Sequence, residues 1–379
     1  MPVLLTGATG FLGSRLLHRL LVHRRREVAV LGRGPASLLR ERLTRLLLLE
    51  EGGPLPAGAA DRLHCLSGDL TRPWLGLAPA EYSRLARHVE AIWHCGADTS
   101  LTAGIERLRT VNVVGTRSVL SLAEAARTDC PLIHVSTAFV AGRRRGGGVP
   151  EDALAGTHGF ETPYERSKFE AEVDVREWAA ARPGRQVTVL RPSILLTDRP
   201  LPDWAPQHPL GTLGRIVGQL HAAVTGPAGQ VRVPVRPTAE NNAVQVEYAV
   251  EAALRLVERR GAGTGLRTVH VVHPVNTPAR PLFDAIELRF PGVRIIPADT
   301  IPDPGPIERI VAAQMPGSLA YGRQTRTYAR TGLLAAVPEL PDPAPLDTRY
   351  LADALGSGSG APGSPDPAAG PVTESAVLS

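Results

Sequence analysis

Tyr164 and Lys168 lie four residues apart in the run Tyr164-Glu165-Arg166-Ser167-Lys168. On a helix that spacing sets a phenol and an ammonium one turn apart on the same face. A phenol with an ordinary pKa of about 10 exchanges protons poorly at neutral pH. An adjacent cation favours the phenolate and brings that value down, so the pair predicts a proton-transfer site with Tyr164 as its acid. Lys168 is the only lysine among 42 Lys and Arg residues. With six tyrosines in 379 residues, a lone lysine would fall four positions after one by chance in about 2% of placements. A compact ammonium can donate to both a phenol and ribose hydroxyls, a task for which a planar guanidinium is less suited. Upstream, Ile133-His134-Val135-Ser136-Thr137 reads as a buried strand ending in two hydroxyls. A hydroxyl there can hold a carbonyl oxygen while Tyr164 protonates it, and Thr137 is favoured over Ser136 for this role. Tyr164, Lys168 and Thr137 are the expected catalytic residues.

The second constellation is Thr6-Gly7-Ala8-Thr9-Gly10-Phe11-Leu12-Gly13, between the first apolar run and the first helical stretch. Gly7, Gly10 and Gly13 serve a tight turn, a close backbone approach to a pyrophosphate, and helix-on-strand packing. Thr9, Phe11 and Leu12 complete the start of the helix on which the pyrophosphate rests. Dinucleotide sites that select NAD carry an acidic residue about 20 positions further on. Arg33 stands there instead, and a guanidinium suits a 2′-phosphate. The expected cofactor is therefore NADP(H) rather than NAD(H), with Arg42 as a second phosphate contact.

Such residues need a parallel sheet to bring them together. Short apolar runs at 3–5, 27–31, 62–66, 91–94, 132–135 and 187–190 alternate with helical stretches at 12–23, 38–50, 111–127 and 164–181. That is the rhythm of an α/β, Rossmann-type doubly wound parallel sheet. Prolines at 200, 202, 206 and 209 mark a change of texture. Helices at 210–224, 244–260 and 282–290 and strands at 268–272 and 293–296 follow. The expected organisation is an NADP-binding domain over 1–197, a substrate lobe with interleaved sheet-completing elements over 198–355, and a disordered Gly/Ser/Pro/Ala tail over 356–379.

The composition, 43% hydrophobic and 21% charged, is that of a globular chain. Aromatics at 4% and a net charge of +5 spread over scattered arginines argue against nucleic-acid binding. Cys65, Cys95 and Cys130 are too far apart for a metal or disulfide framework. No signal peptide or membrane span is read, so the expected location is the cytoplasm, with no membrane insertion.

With these positions in hand, the chain resembles the extended short-chain dehydrogenase/reductases. Within them it is similar to the thioester reductases of secondary metabolism: the terminal reductase domains of nonribosomal peptide synthetases and carboxylic acid reductases, and the fatty acyl-CoA reductases. The likeness rests on the glycine loop, Gly68-Asp69-Leu70 with Leu75-Gly76-Leu77, and Trp93-His94-Cys95-Gly96-Ala97. It extends through Asn112-Val113-Val114-Gly115-Thr116, Val135-Ser136-Thr137, the Tyr164/Lys168 pair followed by Glu172, and Arg191-Pro192-Ser193. It implies that Asp69 and Leu70 flank the adenine, that His94, Cys95, Gly96 and Ala97 lie beside the cofactor, that Asn112 supports the active-site helix, and that Ser193 approaches the nicotinamide. Two departures stand out: Pro163 where the family often has glycine, and Gln245-Val246-Glu247 in place of Pro-Val-Asp. The implied reaction is NADPH-dependent reduction of an acyl thioester to aldehyde or alcohol, acting in trans on a separate carrier protein or coenzyme A. A dehydrogenase or epimerase acting on a nucleotide sugar or a ketone/alcohol shares the loop and the pair, and a non-catalytic NADP-binding sensor shares the loop.

Overall fold

Seven apolar runs form one sheet: β1 Val3–Thr6, β2 Val28–Gly32, β3 Leu63–Ser67, β4 Ala91–His94, β5 Leu132–Val135, β6 Gln186–Pro192 and β7 Gly265–Val271. The computed structural model describes residues 2–223, 229–259 and 263–356. The tail expected to be disordered, apart from Gly356, lies outside the described residues. The strand order is β7-β6-β5-β4-β1-β2-β3 and every pairing is parallel. The direction of winding reverses at the β1/β4 crevice, where such sheets bind ligands at their strands' carboxyl ends.

Successive side chains of a strand point to opposite faces, and the core divides accordingly. Leu5 packs with Leu16, Leu43 and Val250 on one face of the sheet, while Leu4 packs with Ile92, Val119 and Val175 on the other. The covering helices are α1 Phe11–His18, which continues as a wider turn through Arg19–His23, α2 Ala36–Glu51, α3 Pro79–His88, α4 over 105–125, and α5 Pro163–Ala180. After the sheet's sixth strand come α6 Pro209–Ala223, α7 Val246–Glu258, α8 Ala279–Arg289 and α9 Pro306–Gln314. The apolar pattern does not announce α3 or α9. Both begin with proline in the first turn, a position where the missing N–H costs nothing.

The chain leaves the sheet after β6, returns as α7 and β7, and leaves again. The lobe has its own core, in which Phe283, Ile286 and Phe290 pack on Leu351 and Leu355. Its short pairings include Gln230–Val233 with Arg294–Pro297 and Ile194–Leu196 with Ala243–Gln245. A further pairing joins Thr327–Tyr328 to Gly148–Val149, which precede α5 in the chain. Among the described residues no helix is long and apolar enough to cross a membrane.

Candidate active site

The carboxyl ends of β1 to β6 open onto one continuous cleft of about 1860 Å³. Gly7, Thr9 to Gly13, Arg33, Arg42, Asp69, Leu70, Cys95 to Ala97, Thr137, Tyr164, Lys168 and Ser193 all line it.

The glycine loop fits a dinucleotide on steric grounds. Gly7 has φ +74°, and a Cβ there would stand 2.6 Å from the Cys95 carbonyl carbon; one on Gly13 would stand 2.1 Å from the Gly7 oxygen. Only bare backbone lets α1 start this close to the strand ends, and among the described residues no side chain caps that start. Its first N–H groups are therefore available to an anion. Arg33 and Arg42 are exposed at the cleft wall, and neither pairs with a carboxylate among the described residues. The buried Ser193 hydroxyl has no protein partner there either.

The structure explains why Gly68-Asp69-Leu70 and Leu75-Gly76-Leu77 occur together. Leu75 is buried in the left-handed region at φ +60°, a conformation disfavoured for a side-chain-bearing residue. That twist turns its carbonyl to accept from the Asp69 N–H at 2.7 Å, and a Cβ on Gly68 would stand 2.6 Å from the same oxygen. The Asp69 carboxylate accepts from the backbone and hydroxyl of Thr71 at 2.9 and 2.8 Å. Those bonds, with help from Arg33, hold its pKa below the ordinary range.

The catalytic helix α5 is capped by Thr162, whose Oγ1 accepts from the Glu165 N–H at 3.3 Å. Pro163, one of the two departures, occupies the first turn, where proline is favoured. Lys168 is buried, its Nζ donates to the Val135 carbonyl at 2.8 Å, and burial brings its pKa down to about 8 against the opposing pull of Glu172. The Tyr164 phenol is pushed up to about 12 by burial, which outweighs the lowering influence of the Thr137 hydroxyl. This corrects the expectation that Lys168 dominates the phenol: desolvation does, and the ammonium is engaged by Val135. At neutral pH Tyr164 is therefore a protonated donor.

Ser136 and Thr137 are separated by their partners. Both line the cleft, but Ser136 Oγ donates to Glu172 Oε2 at 2.7 Å while Thr137 accepts from the Phe139 N–H at 3.3 Å. Glu172 is fully buried and bidentate to Arg191, at 3.0 and 2.7 Å, with Arg176 at 2.9 Å. Burial alone would raise its pKa, but Arg191, Arg176 and Ser136 outweigh it and hold the carboxyl below its usual value. The cluster ties α5 to the ends of β5 and β6. Glu172→Ala leaves Arg191, 0% exposed, without its countercharge and is expected to cost about 3–5 kcal/mol in urea unfolding.

His94 does not line the cleft, contrary to what the resemblance implies. It is buried, with Nδ1 2.8 Å from Thr6 Oγ1 and Nε2 3.0 Å from Thr116 Oγ1. Thr116 gives its own proton to the Asn112 carbonyl at 2.6 Å, so Nε2 carries the ring proton and Nδ1 accepts. Burial pushes this histidine down to about 3, consistent with the neutral form. Thr6 in turn accepts from the Gly96 N–H at 3.1 Å, which secures the β4 turn against the glycine loop. Asn112, on the wider turn Thr110–Val114 within α4, accepts from the Asp98 N–H at 2.7 Å. Its amide donates to Ser167 of α5 at 2.9 Å.

The other departure, Gln245-Val246-Glu247, lies behind the cleft. Gln245 donates to the Ala344 carbonyl at 2.7 Å and Glu247 accepts from Thr197 at 2.9 Å. The lobe also contributes to the catalytic helix, which the sequence does not reveal. Tyr321 lines the cleft, packs edge-on against Phe139 with centroids 4.9 Å apart, and lies near Glu165, which is fully buried next to Tyr164 in the chain and whose pKa burial raises. Buried Arg326 donates to Tyr328 Oη at 2.6 Å and to the Gly142 carbonyl. No local signal announces the reach of Tyr321 and Arg326 to Glu165 and Gly142, because the partners lie more than 150 positions apart.

A doubly wound parallel sheet, a glycine loop after β1 and a Tyr/Lys pair on the helix beside β5 define an extended short-chain dehydrogenase/reductase, a nicotinamide-dependent oxidoreductase. The chain belongs to the NAD-binding family described as male sterility protein, whose profile matches residues 5–253. It is 38% identical over 190 residues to an isonitrile lipopeptide synthase of Streptomyces coeruleorubidus, covering 50% of this chain and 13% of that one. It is 34% identical over 182 residues to a linear gramicidin synthase of Brevibacillus parabrevis, covering 45% and 3%. The chain thus matches only a small part of these long synthetases. Among solved structures, the terminal R domain from the myxalamid PKS-NRPS pathway superposes with a TM-score of 0.74 at 28% identity, over 94% of this chain and 90% of that one. UDP-glucuronic acid 4-epimerase of Bacillus cereus shares the fold at 17% identity and a TM-score of 0.65, over 94% and 99%.

Proposed function

We propose that this protein is an NADPH-dependent reductase of acyl thioesters that acts in trans, in the cytoplasm, on an acyl group delivered by a separate carrier protein or coenzyme A. The observation that carries the reading is the convergence of Tyr164, Thr137 and Lys168 with the glycine loop in one cleft. The 28% identity to a terminal reductase domain supports it further.

The dinucleotide would be held by the Gly7–Gly13 backbone, Arg33, Arg42, Asp69 and Leu70, with Ser193 and Lys168 at its reactive end. When bound, it supplies hydride to the thioester carbonyl. Thr137 and Tyr164 hold the carbonyl oxygen, and Tyr164 gives it a proton. The thiohemiacetal so formed collapses to an aldehyde and a free thiol, and a second round would give the alcohol. Lys168 steadies the phenol's surroundings with a positive charge anchored on Val135.

Incubation with NADPH and a panel of acyl-CoA and acyl-carrier thioesters should yield aldehyde or alcohol; absence of both products across the panel overturns the reading. Tightly bound NAD on purification would favour the sugar-nucleotide alternative instead. For cofactor choice, Arg33→Ala is expected to weaken NADPH binding about 10- to 100-fold, the value of one or two charge-assisted bonds, with NADH binding unchanged. Titrating both cofactors by fluorescence decides it, and retained preference for NADPH would rule out the role of Arg33.

A further inference from the structure

A cleft of about 1860 Å³ is roughly twice the upper end of an ordinary ligand pocket, room for a dinucleotide and a second sizeable molecule. Its charges are segregated. Arg33, Arg42, Asp69, Asp98, Arg107 and Lys168 line the sheet side, whereas beyond Thr197 no Asp, Glu, Lys or Arg among the described residues lines it. The lobe's helices do contain charges, but these turn elsewhere. On α6, Leu210, Leu213, Val217 and Leu220 line the cleft while Arg215 reaches toward Asp203. On α9, Ile307 and Val311 line it while Glu308 pairs with Arg232 at 2.7 Å. Recurrence every three to four residues gives each helix one apolar stripe, and part of these stripes faces open space rather than a filled core. The stripe on α6 from Leu210 to Leu220 covers about 15 Å at the usual rise, the reach of a chain of roughly ten to twelve carbons.

We propose that this half of the cleft is an acyl channel, and that the substrate's acyl group is an uncharged aliphatic chain of about ten or more carbons rather than a peptide. The inference rests on the thioester reductase reading above. A peptide chain would bring amides that need partners when removed from water. Two of the polar groups on this wall are already engaged: Gln207 donates to the Pro202 and Ala205 carbonyls at 2.9 and 3.0 Å, and His208 accepts from the Gly211 N–H at 3.4 Å. Asn241 Oδ1 and His221 Nδ1 lack partners among the described residues. Thr212, Thr277, Gln314 and Tyr321 also line this wall, but they are interspersed among apolar side chains and do not repeat at the spacing of the donors and acceptors that a peptide backbone needs. Methylenes ask for none.

The test uses the full chain with NADPH and straight-chain acyl-CoA thioesters from two to sixteen carbons, together with a dodecanoyl analogue carrying a terminal carboxylate and a tripeptidyl thioester of similar length. The expected result is a kcat/KM that rises about two- to fourfold per methylene before levelling off, with the carboxylated and peptidyl substrates at least about 100-fold poorer. Val217→Trp should move the preferred length to shorter chains. Reduction that ignores chain length, or favours the peptide, overturns the channel and leaves the reductase reading standing. If no thioester is reduced, calorimetry with alkyl pantetheine thioethers separates the two claims. Affinity that climbs with alkyl length keeps the channel and discards the reductase; no binding discards both.

Discussion

Tyr164→Phe is expected to lower kcat by about 10²- to 10⁴-fold, the usual contribution of a positioned general acid, while NADPH affinity stays close to that of the unchanged protein. The ring is retained, so the packing beside Thr137 survives and only the proton is lost. Burial holds this phenol at about 12, so no titration of Tyr164 itself should show in the pH–rate profile below about pH 10. Single-turnover kinetics at saturating NADPH measure the loss directly. A variant as fast as the parent would remove Tyr164 from the mechanism and revive a non-catalytic role for the cleft.

Lys168→Arg, which keeps the charge, should cost nearly as much. The Lys168 side chain is 3% exposed and its ammonium is committed to one carbonyl, Val135, at 2.8 Å. A guanidinium is larger and brings five N–H donors, most of which would find no acceptor in that space. We expect kcat/KM to fall at least about 100-fold, with part of the loss in NADPH binding. Burial also places the Lys168 titration at about 8. Activity of the parent should therefore decline as pH rises through about 8 and the ammonium loses its proton, a limb absent in the arginine variant. The stability effect has the opposite direction. The folded pKa lies below the ordinary lysine value of 10.5, so between these two values the unfolded chain holds more protons, and this group's contribution to stability increases with pH across that window. Full activity of the variant, with the alkaline limb intact, would show that Lys168 owes its position to something other than catalysis.

Features that depend on near neighbours are legible in the sequence. The glycine spacing after β1, the Tyr/Lys spacing on one helix turn and the alternation of apolar runs are local patterns, and the parallel sheet follows from them because short βα units wind one way. Thr137 and Ser136 are hard to tell apart on sequence grounds, since both hydroxyls end the same strand; the fold distinguishes them by partner, with Ser136 donating to Glu172 across 36 positions. The placement of His94 beside the cofactor does not hold, for a similar reason. Its strand-end position permits either face, and Thr6 and Thr116 hold it on the buried one.

The class of sheet, the cofactor loop and the spacing of the phenol and its lysine are thus written in the chain alone, because each is set within one or two elements. The electrostatic state of the phenol and the character of the substrate wall are properties of the assembled fold. Desolvation depends on everything packed around Tyr164, and the fold brings to the same cleft a lobe residue 157 positions away, Tyr321. The uncharged face of the cleft likewise exists only when helices far apart in the chain turn their apolar stripes toward the same space.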